Sequence, residues 1–391
     1  MVTTSTGGTT ESVRRANLSQ VLQLLYQGGP CSRAALSRAT GRNRSTIASL
    51  VADLVELNLV NEREPDAGGQ VGRPSPVVEI RPEVAAIAVN PEIDALTIGL
   101  VGLDGTCKRI IRHEYDRIPS ATEAVSIIAA VIGGMRLELD EHLMAGIGVA
   151  VPGQVRSQDG VVMNAPHLDW HEQPFGEPLA QATGMPVSVA NDAGLGALAE
   201  RDFGAGRGKR HFVYLNGGAS GIGGGLVADG ELLAGASGYG GELGHVRVSS
   251  SATVDSAGIA GTLEAEVTRA ELLAALGLDR VDPVTFERAL LADRSPTVRA
   301  IVERQLGHLG TALAAVINLL NPQVIALGGF LAALLAYDPE RLHAAVASAA
   351  LTPSFDGVRI TATEVGANLL MLGAARLAFR PLLADPASVA R

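Results

Sequence analysis

A repeated order of strands and helices after Arg81-Pro82 restricts the architectures that this chain can form. Three strands, a helix and two further strands are predicted first, at 84–89, 95–103, 107–115, 122–137, 145–151 and 186–190. A glycine-rich loop then joins strands at 212–216 and 222–228, and a helical region at 263–320 precedes a strand at 324–327. This order predicts two similar α/β halves with a cleft between them.

Length, charge and cysteine usage narrow the class of protein. At 391 residues the chain is long enough for two or three domains. Its formal net charge is −10, yet residues 1–81 carry nine arginines against seven acidic residues, so a contact with nucleic acid is expected in this first segment. Cys31 and Cys107 form no Cys-x-x-Cys pair, which argues against a disulfide framework and predicts a cytoplasmic protein.

Neither the N-terminus nor the most apolar stretch predicts targeting or membrane insertion. The first ten residues are small and polar, without the apolar core of a signal peptide. The apolar stretch 309–336 is interrupted by Asn318 and by Asn321-Pro322-Gln323, so it predicts a buried helix followed by a strand. We therefore expect no membrane association.

The N-terminal segment predicts a winged helix-turn-helix that spans residues 1–82. Apolar residues at helical and then alternating spacing predict three helices and two strands, at 17–26, at 33–39, from a turn at 40–43 to about 57, at 59–62 and at 77–80. In this motif the third helix presents its N-terminal residues to the major groove of DNA.

The predicted DNA contacts lie at the start of that helix and on the wing. They are arginines and short hydrogen-bonding side chains, which contact base edges and phosphates: Arg42, Asn43, Arg44, Ser45, Thr46 and Arg73. Arg73 stands in Gly72-Arg73-Pro74 at the expected wing tip, from which an arginine reaches a minor groove or a phosphate. A small module for protein contacts is the alternative. The polar residues at the start of the third helix, the wing arginine and the local positive charge together favour DNA binding.

Two acids and a histidine follow the glycine-rich loop of the second half. Glu242 and His245 stand in Gly241-Glu242-Leu243-Gly244-His245, and Glu264 ends Gly261-Thr262-Leu263-Glu264. A carboxylate accepts hydrogens from two hydroxyl groups, and a neutral histidine donates one hydrogen bond and accepts one. The three side chains therefore suit the hydroxyl groups of a sugar.

Five motifs in this order resemble the ROK family, which groups bacterial repressors, uncharacterised open reading frames and sugar kinases. They are Asn191-Asp192-Ala193, Ser220-Gly221-Ile222-Gly223-Gly224-Gly225, Glu242-x-x-His245, Gly261-x-x-Glu264 and Leu327-Gly328-Gly329. The resemblance covers essentially the whole chain and implies an α/β, two-lobed actin-like fold of the sugar kinase and Hsp70 type behind the winged helix. It implies one lobe at 83–192, completed by a C-terminal helix at about 367–391, and a second at 193–366.

The resemblance also implies a sugar site. The family holds sugar hydroxyls with an Asn-x-Pro asparagine, an Asn-Asp pair, the Glu-x-x-His pair and a later glutamate, which match Asn164, Asn191, Asp192, Glu242, His245 and Glu264. Four of these residues have an ordinary structural alternative: helix caps for the Asn-Asp pair, a core histidine, and a solvated helix face for the last glutamate. Agreement at all six positions favours a sugar or sugar phosphate.

The phosphate-binding motif of the family's kinases is altered. In those kinases Asp-x-Gly-Gly-Thr holds the nucleotide phosphates and metal, and an ungapped alignment from the Asp104-Gly105 turn sets it against Asn90-Pro91-Glu92-Ile93-Asp94. Both glycines carry side chains here, and Glu92 and Asp94 add negative charge near the phosphates. We therefore expect no phosphotransfer, although Asp192, the family's catalytic base, is present.

The zinc motif of the family is altered as well. A histidine and Cys-x-Cys-Gly-x-x-Gly-Cys hold the ion in many members, and the corresponding run here is Asp255-Ser256-Ala257-Gly258-Ile259-Ala260-Gly261-Thr262. One histidine and one aspartate do not make the closed tetrahedral site of structural zinc, so we predict no zinc and no cofactor. The loop 249–257 is then expected either to be held by packing and hydrogen bonds or to be mobile.

The sequence therefore predicts a cytoplasmic, sugar-responsive transcriptional repressor that binds operator DNA and senses a sugar or sugar phosphate without phosphorylating it. Because paired half-sites need paired recognition helices, a homodimer or homotetramer is expected. Two alternatives stay open: an active sugar kinase that carries a DNA-binding domain, and a protein-interaction scaffold.

Overall fold

Three helices and a three-stranded sheet form the N-terminal part of the computed structural model, which describes residues 7–64, 76–218, 221–279 and 281–390. The elements are α1 Gly7–Gly28, β1 Cys31–Ser32, α2 Arg33–Thr40, α3 Arg44–Glu56, β2 Val60–Arg63 and β3 Val77–Ile80. Helix α1 begins ten residues before its predicted start. The prediction missed these turns because residues 11–16 are exposed and lack the apolar stripe on which it was based. The other two helices and the two predicted strands lie within about one residue of their predicted bounds, and β1 is a third strand that was not predicted.

A five-stranded sheet forms the core of the first lobe. Its elements and their neighbours are β4 Val84–Pro91, β5 Ala95–Gly102, β6 Cys107–Glu114, α4 Ala121–Gly134, α5 Arg136–Leu139, β7 Leu143–Val151, α6 Gly176–Thr183 and β11 Val187–Asn191. The strand order is β11-β7-β4-β5-β6, with an antiparallel meander followed by parallel strands. The helix predicted at 122–137 divides into α4 and α5 at Met135.

The structure adds a small sheet between β7 and β11, and a long helix after them. Strands β8 Gln154–Arg156, β9 Val161–Ala165 and β10 Trp170–Pro174 form this antiparallel sheet. Helix α7 Asp192–Phe203 begins directly where β11 ends. It packs on the second lobe, against β12 and β13 (defined below), and not mainly on the sheet that precedes it.

The second lobe repeats the same strand order around another five-stranded sheet. Its elements are β12 Phe212–Gly217, β13 Ile222–Ala228, β14 Glu231–Leu232, α8 Leu263–Glu266, α9 Arg269–Ala275, α10 Pro283–Ala292, α11 Pro296–Leu320, β15 Val324–Gly329, α12 Phe330–Tyr337, α13 Pro339–Ala349, α14 Thr352–Phe355 and β16 Arg359–Ala362. The last helix, α15 Leu369–Ala384, returns to the sheet of the first lobe. The order β14-β13-β12-β15-β16 matches that of the first sheet. The predicted two-lobed, actin-like α/β fold is confirmed.

The winged helix and the first lobe share one hydrophobic core. Leu22 and Tyr26 of α1 pack in the same cluster as Ala86 of β4 and Phe379 of α15. The helical segment Gly366–Ala384, which includes α15, is long and apolar enough to cross a membrane by length and composition, but half of it is buried, and α15 packs on β4 and β7. The winged helix is therefore joined to the first lobe by packing as well as by the short link between β3 and β4.

Candidate functional site

A cavity of about 780 Å³ lies between the two lobes, where β4, β7, β11 and β12 end. Its volume falls in the range of small-molecule sites. All six residues predicted to contact a sugar line this cavity: Asn164, Asn191, Asp192, Glu242, His245 and Glu264. The tertiary structure therefore brings together residues that are up to 100 positions apart in the sequence.

The Asn191-Asp192 pair occupies the junction between β11 and α7. Oδ1 of Asn191 accepts a hydrogen bond from the Gly194 N–H at 3.0 Å, and Nδ2 donates to the Gly153 carbonyl at 3.0 Å. Asn191 is thus the N-cap of α7, and its side chain keeps one amide hydrogen for a ligand. Asn191 therefore both caps α7 and lines the cavity.

Asp192 is a carboxyl group with an unusual protonation equilibrium. Its Oδ1 accepts a hydrogen bond from the Ala193 N–H at 2.8 Å. Burial is the main cause that raises the pKa of Asp192 to about 7, and the negative charges of Glu242 and Glu92 act in the same direction. The hydrogen bond from Ala193 opposes this shift without reversing it.

Glu242 and His245 flank a 3₁₀ turn at Leu243–His245. Nδ1 of His245 lies 2.8 Å from Oδ2 of Asp255, and Nε2 lies 4.0 Å from a carboxylate oxygen of Glu242. The side chain of His245 is 27% exposed, whereas that of Asp255 is completely buried. The imidazole therefore has one nitrogen bound inside the protein and the other on the side of the cavity.

Glu264 fastens two segments of the cavity wall to each other. Oε2 accepts a hydrogen bond from the Ile222 N–H at 2.9 Å, and Oε1 accepts bonds from the N–H and the hydroxyl of Ser256 at 3.2 and 2.5 Å. Gly221 has a φ of +150°, and a Cβ at this position would overlap the same carboxylate. Glu264 therefore does not lie on a solvated helix face, which was the structural alternative for this residue.

Asn164 lies on the opposite wall from these acids. It belongs to β9, where its backbone pairs with Gln154 and His171, and its side chain is exposed. Sequence analysis missed further lining residues: Gln154, His167, Asn216, Ser256, Gly366, Leu370 and Met371. Of these, Asn216 ends a predicted strand and Gln154 follows another by three residues, which is the signal that could have found them.

The rim of the cavity carries an ion-pair cluster in the segment aligned with the kinase motif. Arg112 of β6 donates to Glu92 at 2.8 Å and to Asp94 at 2.7 Å, and Thr97 donates to the same Glu92 carboxylate at 3.2 Å. Asn90 is buried at the end of β4. The charges of Glu92 and Asp94 are thus paired with a cation of the chain itself.

The zinc motif of the family does not fit this chain. The run 255–262 has no thiolate, and its one carboxylate, that of Asp255, already accepts several hydrogen bonds within the protein. Throughout the described residues, no group of three or more His, Cys, Asp or Glu side chains is arranged to hold a metal ion. Donors of hydrogen bonds surround the carboxylate where a zinc ion would need ligands.

Unpaired arginines mark one face of the winged helix. Eight arginines of this part are described, and five of them form ion pairs with acidic side chains: Arg14, Arg15, Arg33, Arg63 and Arg81. The side chains of Arg38, Arg42 and Arg44 are exposed and form no hydrogen bond or ion pair with the described residues. These three surround the start of α3, and Arg38 of α2 was not singled out from the sequence.

The other residues predicted to contact DNA lie around the N-cap of α3. Oδ1 of Asn43 accepts hydrogen bonds from the Thr46 N–H and the Ser45 hydroxyl, both at 2.8 Å. The side-chain oxygen of Asn43 is therefore used in capping, and its amide nitrogen is the part left for a base or phosphate. Arg73 lies outside the described residues.

Helix α1 of the winged helix is bonded directly to the C-terminal helix of the body. Ser19 donates to the Leu383 carbonyl at 2.7 Å, and Arg15 pairs with Asp385 at 3.1 Å. The ring of Tyr26 packs edge-on against Phe203 of α7, with centroids 5.1 Å apart. The position of α1 therefore depends on both α7 and α15.

Asp202 connects the same three helices through a buried charge cluster. Its side chain is completely buried, and its two oxygens accept bonds from Arg201 at 2.7 Å, Arg376 at 3.0 Å and the Gln27 amide at 2.9 Å. Gln27 belongs to α1, Arg376 to α15, and the other two residues to α7. A single carboxylate thus joins the winged helix to the body.

Helices α7 and α15 both extend from the cavity to the winged helix. The 12 residues of α7 span about 18 Å, from Asp192 at the cavity to Phe203 at α1. Helix α15 has Leu370 and Met371 at the cavity and Leu383 at α1. Where the helices cross, a Cβ on Gly373 would overlap the carbonyl of Leu195, so their backbones are in close contact.

Comparisons with known proteins agree with this architecture. The ROK family model matches residues 93–380. The xylose repressor of Caldicellulosiruptor bescii is 24% identical over 96% of this chain and 98% of its own length. The glucokinase of Thermotoga maritima is 31% identical over 63% of this chain and 82% of its own length. The crystal structure of a ROK family transcriptional regulator, a homologue of the E. coli MLC protein, has a TM-score of 0.78 at 24% identity, covering 95% of this chain and 97% of its own. Because the family model covers well over half of the chain, the protein belongs to the ROK family.

Proposed function

We propose that this protein is a sugar-responsive transcriptional repressor that binds operator DNA through its winged helix and releases it when a sugar enters the cavity. The observation that carries the proposal is the direct connection, through α7 and α15, between a polar cavity and a winged helix with unpaired arginines. The similarity to a xylose repressor over nearly the whole chain supports the same function, since the glucokinase match covers only 63% of it.

The DNA-binding part of the proposal rests on the distribution of charge in the winged helix. Three exposed arginines without acidic partners surround the start of α3, where the recognition helix of this motif meets the major groove. Arg42 and Arg44 are proposed to contact bases or phosphates together with Asn43, Ser45 and Thr46, and Arg73 is proposed as a wing contact. Arg38 is added to them as a phosphate contact.

We expect that replacing Arg38, Arg42 or Arg44 with alanine weakens operator binding and reduces its salt dependence. Removing an arginine that binds a phosphate should lower the slope of log K against log salt by about 1, and removing one that binds a base should cost about 1–3 kcal/mol. Titrations of labelled operator DNA at several salt concentrations measure both quantities. Arg299→Ala, which removes an exposed arginine of α11, is the matched control and should leave the slope unchanged.

The ligand part of the proposal is a sugar without phosphotransfer. The six cavity residues offer carboxylate, amide and imidazole groups to hydroxyls, as binding of a polyol requires. The only guanidinium at the cavity within the described residues is that of Arg112, and it is already paired with Glu92 and Asp94. A phosphate group would therefore meet carboxylates and, among the described residues, no unpaired guanidinium or ammonium group, which argues against nucleotide use and favours an uncharged sugar over a sugar phosphate.

We expect the affinity for the sugar to rise with pH around pH 7. The pKa of Asp192 is raised to about 7, and the ionised carboxylate accepts hydroxyl hydrogens better than the neutral acid. The same raised pKa means that the unliganded protein loses stability as pH increases from about 4 to 7, because the unfolded chain releases this proton first. Calorimetric titrations from pH 5.5 to 8.5 test the effect, and Asp192→Asn should abolish the rise around pH 7 in any residual binding.

The response to the ligand follows from the two helices that leave the cavity. A sugar that binds Asn191 and Asp192 in only one arrangement of the lobes favours the corresponding positions of α7 and α15. Because both helices contact α1, the recognition helix moves with them relative to a second copy in a homodimer or homotetramer, which changes the spacing between half-sites. We place this regulator in the cytoplasm, where operator DNA is available.

A screen of sugars by thermal shift, followed by operator binding, tests the proposal. The panel contains xylose, glucose, N-acetylglucosamine and their phosphates, each at millimolar concentration. The proposal requires one neutral sugar that stabilises the protein and weakens its binding to operator DNA. It is wrong if the sugar that stabilises the protein leaves operator affinity unchanged, or if no sequence-selective DNA binding is found.

An active sugar kinase is the second candidate, because Asp192 lies at the cavity with a pKa near that of a general base. A coupled assay with ATP and the sugar identified in the screen separates the two functions. Turnover above about 1 s⁻¹, which is the low end for kinases, would establish the kinase. The repressor without phosphotransfer predicts no turnover above the background.

A further inference from the structure

The carboxylate of Asp255 is the centre of the loop that carries the glycine-rich run 255–262. Oδ2 accepts hydrogen bonds from Nδ1 of His245 and the hydroxyl of Thr262, both at 2.8 Å. Oδ1 accepts bonds from the backbone N–H groups of Ala257 and Ile259, both at 2.9 Å. The side chain is completely buried, so these four donors replace water around it.

Two short backbone pairings complete this loop. Val254 pairs with Ala260 and Arg247 pairs with Thr262 as isolated β-bridges, which close the loop on both sides of Asp255. All four groups around the carboxylate direct hydrogen atoms towards it. A metal cation in this position would face hydrogens instead of lone pairs, so the loop is organised around an anion.

We propose that Asp255 is a positioning residue that replaces a structural metal ion, holds the loop closed and fixes the orientation and tautomer of His245. An ionised carboxylate only accepts hydrogen bonds, so Nδ1 of His245 carries the proton and Nε2 is directed to the cavity. At a pH above the pKa of His245, the neutral imidazole offers Nε2 as an acceptor for a sugar hydroxyl beside Glu242. This last step rests on the proposed sugar site, whereas the tautomer itself does not.

The charges around His245 favour its protonated form, so the neutral tautomer exists only at a pH above the pKa of His245. Burial alone would lower the pKa of His245, but the hydrogen bond to Asp255 and the charges of Glu264, Asp255 and Glu242 outweigh it, so the pKa is raised. Burial alone would raise the pKa of Asp255, yet the hydrogen bonds from His245, Ile259, Thr262 and Ala257 hold it at about 2. Asp255 is therefore ionised at every pH at which the protein would be studied.

Asp255→Asn is the variant that tests the proposal, because it keeps the shape of the side chain. If Oδ1 of the asparagine keeps the bonds from Ala257 and Ile259, its Nδ2 faces Nδ1 of His245 and donates to it. The neutral imidazole then carries its proton on Nε2, the reverse of the wild-type tautomer. We expect the ¹⁵N NMR signals of His245 to show this reversal and the affinity for the sugar to fall about tenfold.

Controls separate the orientation of His245 from a general loss of folding. Asp159→Asn, which changes a surface aspartate paired with Arg156, should alter neither the tautomer nor the affinity. If Asp255→Asn does not fold, the wild-type spectrum still decides the tautomer. The spectra are recorded at a pH above the pKa of His245, where the imidazole is neutral. The proposal is overturned if neutral wild-type His245 carries its proton on Nε2, if Asp255→Asn leaves the tautomer unchanged, or if the variant binds sugar within twofold of wild type.

Metal dependence is tested on the wild-type protein. Treatment with EDTA, or addition of Zn²⁺ alone, is expected to leave both the melting temperature and the sugar affinity unchanged. A decrease in either property in EDTA, with recovery in Zn²⁺, would overturn the proposal. A wrong assignment of the sugar site gives a different result from a wrong role for Asp255. In that case Glu242→Ala would leave ligand binding intact, while the tautomer of His245 would still depend on whether residue 255 is Asp or Asn.

Discussion

Replacing Glu242 with alanine is expected to abolish the stabilisation of the protein by its sugar. A ligand at 100 times its Kd adds about 2.7 kcal/mol to the free energy of unfolding, which corresponds to a rise of several degrees in the melting temperature. The Glu242 carboxylate lines the cavity beside His245 and makes no short hydrogen bond to it within the protein, so its removal takes away a ligand-binding group without damage to the fold. Thermal shift with and without the sugar measures the effect.

Operator binding by the same variant is expected to become insensitive to the sugar. Glu242→Ala should bind operator DNA with wild-type affinity and remain bound when the sugar is added, since the ligand no longer selects one arrangement of the lobes. Glu287→Ala, which removes an exposed carboxylate of α10, is the matched control and should respond like wild type. A Glu242→Ala protein that is still released by the sugar would show that the effector binds elsewhere.

Replacing Asp202 with alanine is expected to be among the most destabilising single changes outside the hydrophobic core. The guanidinium groups of Arg201 and Arg376 would be left without their buried partner, which costs about 3–5 kcal/mol in such clusters. Chemical denaturation should show this destabilisation as a lower midpoint with little change in slope. Asp229→Ala breaks an exposed pair with Arg210 and should change stability by less than about 1 kcal/mol.

A milder change in the Asp202 cluster tests whether this cluster transmits the response to sugar from the cavity to the winged helix. Gln27→Ala removes only the hydrogen bond from α1 to Asp202 and leaves both arginine contacts intact. It should unfold like wild type to within about 1 kcal/mol, while the sugar should release it from operator DNA less effectively. A full response to sugar in Gln27→Ala would mean that other contacts of α1, such as Ser19 with Leu383, transmit the signal.

The elements of the fold followed closely from the sequence where one face of an element is apolar. Strands β3 and β13 have the predicted bounds, and the meander β4–β6 differs by at most two residues at an end. The predictions failed where burial gives no periodic pattern. Residues 11–16 of α1 are exposed, and β8 Gln154–Arg156 and β14 Glu231–Leu232 are too short to alternate over a useful length.

The members of the candidate site were predicted better than their individual contacts. All six residues line one cavity, but Asn191 also caps α7, and Glu264 also binds the N–H groups of Ile222 and Ser256. Short motifs indicate which residue types are present, whereas hydrogen-bond partners depend on loops that approach from elsewhere. Arg38, which had no predicted role, became a candidate only when its side chain proved to be exposed and to form no ion pair with the described residues.

The sequence by itself determined the order of the elements, the winged helix and the residue types of the cavity, because these depend on local periodicity and on motifs of a few residues. Only the tertiary structure decided that α7 and α15 join the cavity to α1, and that Asp255 and Asp202 each bind several partners. These contacts link residues as far apart as Gln27 and Asp202 or Ser19 and Leu383, and such pairs leave no pattern in a single sequence. Long-range packing, which brings α1 onto the C-terminal helix, is the physical reason.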